Sequence, residues 1–130
     1  MAREYRLKHA VEIPEGVTLD LPGIYEWAIV YADGSIRRYV GKYTRRSRPM
    51  REYHANVERI LDGRPYRRAT PDGFRQVHRE LAKAADEGRP VVLTILENAA
   101  PEDLNRREQA LIRERGATLN GGLPAPVVEV

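Results

Sequence analysis

The 130 residues contain no cysteine, which removes disulfide bridges, thiolate zinc sites and cysteine nucleophiles together. Long apolar runs are missing as well. None approaches the length of a membrane span, and the start, Met1-Ala2-Arg3-Glu4-Tyr5-Arg6, is charged where a signal peptide needs an apolar core. We therefore expect a soluble, cytoplasmic protein with no membrane partner. There is no internal repeat and no low-complexity tract. Acidic residues are absent from residues 37–51, a stretch that carries Arg37, Arg38, Lys42, Arg45, Arg46, Arg48 and Arg51. Such a block attracts an anion, although a solvated charged face would have the same composition.

At this length one domain can bury a modest core without metal or disulfide staples, and the 42% apolar content suits that. The net charge of +3 only inclines the chain toward a nucleic-acid partner. Residues 1–21 mix charges with short apolar pieces broken by Pro14, which predicts an extended arm with at most one edge strand. Gly23-Ile24-Tyr25 then opens a run of β-formers, Asp33-Gly34 supplies a turn, and residues 36–41 return to Tyr39-Val40-Gly41: a β-hairpin with a tyrosine near one end of each strand.

A helix is expected next, capped by Ser47 with Pro49 in its first turn, and carrying Met50, Tyr53, His54, Val57, Ile60 and Leu61 at helical spacing until Asp62-Gly63. On that register Arg51 is a cation in a first turn, unfavourable for the helix dipole and so suggestive of a site. Residues 62–72 read as a loop in which Arg64, Arg67, Arg68 and Tyr66 form either solvated surface or a DNA contact. Phe74, Val77, His78, Leu81 and Ala84 mark a second helix closed by Gly88. Residues 91–96 read as a central strand covered on both faces, and a third helix runs from Pro101 to Gly116. The sum is an α+β fold, a small three-stranded and mostly antiparallel sheet flanked by helices.

Gly23-Ile24-Tyr25 and Tyr39-Val40-Gly41 resemble the two halves of the GIY-YIG nuclease signature, and Lys42 follows the second half as in many members. Glu108-Gln109-Ala110-Leu111-Ile112 followed by Leu119-Asn120 resembles the glutamate-to-asparagine segment of the family's nucleotide-excision-repair incision subunits. The resemblance covers residues 21–122 and implies an arm (1–21), a GIY-YIG nuclease domain (22–123) and a C-terminal tail (124–130). It implies a metal-dependent DNA endonuclease that hydrolyses phosphodiesters, using Mg²⁺ with Mn²⁺ as a substitute. Tyr25, Tyr39, Lys42, Arg51 and Glu108 would be its catalytic residues.

Within that resemblance Tyr25 would act as base if Lys42 lies near enough to favour phenolate, with Tyr39 orienting water or phosphate, or the two exchanging roles. Arg51, with Arg48 as its competitor, would hold the scissile phosphate, and Glu108 would bind the metal. Gly23 and Gly41 belong to the motifs, His54 would assist at the phosphate, and Asn120 would tie the helix end to the sheet and so position Glu108. Arg37, Arg38, Arg45, Arg46 and Arg48 would contact the DNA backbone. The sizeable recognition insertions of homing and restriction members are not evident, so weak sequence preference, or targeting by a partner or by DNA structure, is expected; the oligomeric state is left open. The rival expectation is a nucleic-acid-binding module on the same fold that has lost catalysis.

Overall fold

Two eight-residue strands, β2 (Gly23–Val30) and β3 (Ile36–Tyr43), pair antiparallel around a tight turn. Gly34 supplies the positive φ of 83°, while the Asp33 carboxylate accepts from the Ser35 amide at 2.9 Å. These elements come from a computed structural model that describes residues 4–121. The tail expected over 124–130, the last two residues of the expected 22–123 domain and the first three of the arm lie outside the described residues.

β4 (Val91–Asn98) runs antiparallel to β2, as its apolar run predicts for a central strand, and β1 (Ala10–Glu12) lies parallel along its other side. The sheet is thus four-stranded and mixed, in the order β1-β4-β2-β3, and corrects the three-stranded expectation. The reason lies in β1 itself: all three of its residues are exposed, so it joins by backbone pairing and leaves no apolar alternation to read. β4 is covered unevenly, with Val91, Leu93 and Ile95 buried and the residues between them half-buried.

Helix α1 (Arg51–Leu61) starts later than expected. Ser47 does not cap it by its side chain; residues 46–50 form turns, the Ser47 carbonyl accepts from the Arg51 amide at 2.9 Å, and Met50 precedes the first helical residue. Helix α2 (Gln76–Glu87) ends at Gly88 with φ 66°, a left-handed stop that costs glycine little. A 3₁₀ turn at Pro101–Asp103 leads into α3 (Leu104–Glu114), and a second, Thr118–Asn120, follows it.

Strand pleating sorts the side chains to two faces. Tyr25, Trp27 and Ile29 point under α1 and α2, where Tyr53, Val57, Val77 and Leu81 complete the larger core. Ile24 and Val40 point the other way, against Leu104, Leu111 and Ile112 of α3. Each such buried side chain is worth roughly 1.5–3 kcal/mol. The amino-terminal segment belongs to this body: Leu7 and Leu19 enter the larger core, and Arg6 donates to Glu58 of α1 at 2.7 Å.

Candidate active site

Tyr25 sits directly across from Gly41 in the hairpin, and Trp27 from Tyr39. Gly41 has a steric reason: a Cβ there would lie 2.5 Å from the hydroxyl end of the Tyr25 ring. Gly23 is similarly confined, its missing Cβ falling 2.3 Å from the Glu97 carbonyl. The Tyr25 hydroxyl hydrogen-bonds the hydroxyl of Tyr53, which α1 brings from above. Arg75, the residue before α2, closes the group by donating to the Tyr39 hydroxyl and, at 3.2 Å, to that of Tyr53. His78 braces Arg75 by accepting its backbone N–H at 3.1 Å. Burial, then Arg75 and Arg48, push the His78 imidazole down to about 3, so it is neutral at pH 7.

Sequence reasoning passed over Arg75. The signal was available, because a cation immediately before a helix opposes the dipole there as much as Arg51 does in α1.

The expected pairing of Lys42 with Tyr25 does not form. Lys42 is the cross-strand partner of Ile24, one residue away and hence on the opposite face, and its ammonium goes to the Asn105 amide of α3. Tyr25 is 1% exposed, and burial pushes its phenol far above the ordinary value; Arg48 and Arg75 are the cations that pull it back. It is therefore a protonated, sealed tyrosine at neutral pH. Arg48, half-buried and paired with Glu52, is the arginine whose charge reaches Tyr25, whereas Arg51 is exposed and its side chain has no partner among the described residues.

His54 also departs from expectation. One residue past Tyr53 on a helix is about 100° further round, and His54 accordingly faces away, stacked on Tyr5 with its Nε2 3.0 Å from that of His9.

β3 is the edge strand, so every second backbone amide and carbonyl points outward. Asn120 satisfies those of Val40, accepting at 2.9 Å and donating at 2.7 Å, which is the tie to the sheet that its position suggested. Two residues on, the Lys42 amide points the same way and meets Glu108. Burial pushes the Glu108 carboxyl up from its ordinary value, against the downward pull of the Lys42 ammonium, the Lys42 amide and Arg75. Arg107 fixes the roll of α3 by a two-pronged bond to Glu97, both contacts 2.7 Å. Among the described residues no three His, Asp or Glu side chains converge as a metal site. Glu108 is a single carboxylate, which suits an ion that keeps mostly water and phosphate oxygens as ligands.

Outside this cluster opens a cleft of about 830 Å³, between α1, the loop after it and the start of α3. Lys42, Arg45, Arg48 and Arg51 line it, as do Arg67 and Tyr66 of the loop left open between surface and DNA contact, together with Arg59 and Asn105, which the sequence did not single out. The remaining basic candidates point elsewhere: Arg37 lies over the Tyr31 ring at 4.5 Å, Arg38 bonds the buried Glu26 at 3.0 Å, and Arg46 pairs with Asp20. Hence the hydroxyls of Tyr25, Tyr39 and Tyr53 are linked to one another through Arg75, and two cations of the cleft wall act on the buried groups: the charge of Arg48 reaches Tyr25 and that of Lys42 reaches Glu108. No family model, curated protein or solved structure matches the chain.

Proposed function

We propose that this chain is a metal-dependent DNA endonuclease of the GIY-YIG kind, hydrolysing phosphodiesters at the end of β3. The observation that carries the reading is convergence: Tyr25, Tyr39, Arg48 and Glu108, up to 83 residues apart in the sequence, gather around Arg75 and Lys42 beside an anion-attracting cleft. Hydrolysis requires a water aimed at phosphorus, charge stabilisation on the phosphoryl oxygens, and departure of one ester oxygen with a proton.

Arg48 and Arg51 would hold the phosphate, Arg48 inward beside the tyrosines and Arg51 from the wall. Tyr39, whose oxygen accepts from Arg75, keeps its own O–H to orient the water, the role first expected of it, whereas the sealed Tyr25 does not serve as base. Tyr25 then acts through Tyr53, holding Arg75 in place. Bound at Glu108, Mg²⁺ or Mn²⁺ would neutralise phosphate charge and make water more acidic. Lys42 keeps Glu108 ionised.

Two observations favour the rival, a binding module without catalysis: Tyr25 is sealed, and the Lys42 ammonium is diverted to Asn105. Plasmid nicking separates the two readings. The endonuclease nicks supercoiled plasmid with Mg²⁺ or Mn²⁺ and stops on chelation, with Arg48→Ala slower by ~10²–10³-fold, the cost of losing a transition-state donor. A folded wild type that binds plasmid and never nicks it is the binding module.

A further inference from the structure

The cleft's positive charge is largely uncompensated. Six cations line it, Lys42, Arg45, Arg48, Arg51, Arg59 and Arg67, against the single carboxylate of Glu52, which Arg48 already occupies. Neutral groups hold three of the others: Lys42 on the Asn105 amide, Arg59 on that of Asn56 at 2.8 Å, and Arg67 against the Tyr66 ring at 4.9 Å. The side chains of Arg45 and Arg51 have no partner among the described residues. Arg51 and Arg59 stand on one face of α1, about 12 Å apart by the helical rise, a row suited to successive phosphates of one strand.

The outer wall adds an aromatic platform. Tyr66 lies in the loop between α1 and α2, and that loop is built to hold it: its amide donates to the Pro71 carbonyl at 3.0 Å, and Phe74 packs edge-on at 5.2 Å between ring centroids. Gly73 leaves the space for the ring, since a Cβ there would fall 2.9 Å from it. Arg67, exposed and held among the described residues by the ring and hydroxyl of Tyr66, with the Glu52 charge as a weaker pull, can swing to a phosphate.

A base can lie on a tyrosine only when it is out of its pair and its stack. We propose that the cleft takes one unpaired nucleic-acid strand, with phosphates along Arg51 and Arg59 and a base against Tyr66, Arg67 closing over it. This rests on the endonuclease reading and deepens it: the strand entering the site is single, as at a flap or a branch. The mechanism's Arg48 and Lys42 line the same cleft, and their charges reach Tyr25 and Glu108, so a strand seated there lies beside the proposed site.

Fluorescence anisotropy in chelator, with a labelled 12-nucleotide oligo-dT and a blunt duplex of equal length, tests this on the full chain. The single strand should bind at least ~10-fold tighter than the duplex, and Tyr66→Ala should weaken it by ~10-fold, with the duplex unaffected. Arg59→Ala and Arg67→Ala should each flatten the salt dependence of strand binding by roughly 0.7 in logarithmic slope. Arg67 lies on an exposed loop, so its variant reports even if Tyr66→Ala fails to fold. Equal affinity for strand and duplex, or a Tyr66→Ala variant that binds the strand as wild type does, overturns the inference. Plasmid nicking by the same preparation is independent: a chain that nicks but prefers duplex sinks only this proposal, and one that binds the strand yet never nicks sinks only the endonuclease.

Discussion

A methyl group at position 41 would press into the Tyr25 ring, and that ring cannot retreat, because Tyr39, Tyr43 and Tyr53 surround it. Gly41→Ala should therefore destabilise the fold by about 1–3 kcal/mol, the usual range for overpacking, read as a lowered urea midpoint; an unchanged midpoint would mean the ring has room. Lys42 offers a test through pH. Burial raises the Glu108 carboxyl and Lys42 is the first charge opposing it, so Lys42→Met should move the acid limb of the cleavage rate to higher pH, and an unmoved limb would detach Lys42 from Glu108. At this scale the sequence was legible for Asn120, which the resemblance placed as a tie to the sheet and which bonds the Val40 amide and carbonyl of β3. It was illegible where a side chain had to choose a face or a partner: Lys42 went with Ile24, and Arg75 was recruited from a helix start with no motif around it.

Elements show a second pattern, in which helices and long strands were readable and their junctions were not. β2, β3, β4 and the three helices carry apolar periodicity or turn residues, and their existence follows from the chain. The start of α1 did not, since a turn over 46–50 occupies the place the proposed cap implied, and β1, which takes the edge position allowed for the arm, has no alternating burial to fix its bounds. The union of β1 with the body is instead polar. The His9 Nδ1 faces the Ala10 carbonyl at 3.0 Å and so carries the proton; its Nε2 then accepts from His54, whose buried Nδ1 has no hydrogen-bond partner among the described residues. Burial and the neighbouring His9 push His54 down to about 4, and burial lowers His9 as well. Neutral in the folded state, these groups gain protons first in the unfolded chain. Stability is thus full above pH ~6.5 and is lost as pH falls from there toward 4. Urea midpoints across that window should fall, and His54→Phe, which keeps the stack on Tyr5, should shrink the fall. His78 would still supply its share. A wild-type midpoint constant from pH 7 to 4.5 would contradict this.

For the whole molecule, the sheet acts as a partition whose open edge carries the candidate site. α1 and α2 cover one face and α3 the other, so Tyr39 and Glu108 lie on opposite sides, and Arg75, bonded to Tyr39, reaches Glu108 only by its charge. That geometry explains why a mild net charge of +3 says little: most of the candidate arginines of the basic block are spent on Glu26, Asp20, Glu52 or an aromatic ring, while the cleft collects cations from three separate segments. Glu108 at this edge is the carboxylate on which the proposed hydrolysis of a phosphodiester depends. The most direct test of that dependence is a cleavage time course on plasmid and branched DNA across a Mg²⁺ titration, with wild type beside Glu108→Gln and DNA binding measured on both. The account predicts metal-dependent nicking by wild type, slowed at least ~100-fold in Glu108→Gln, with binding retained. Equal cleavage by both proteins, or no cleavage by a wild type that binds the DNA, would contradict it.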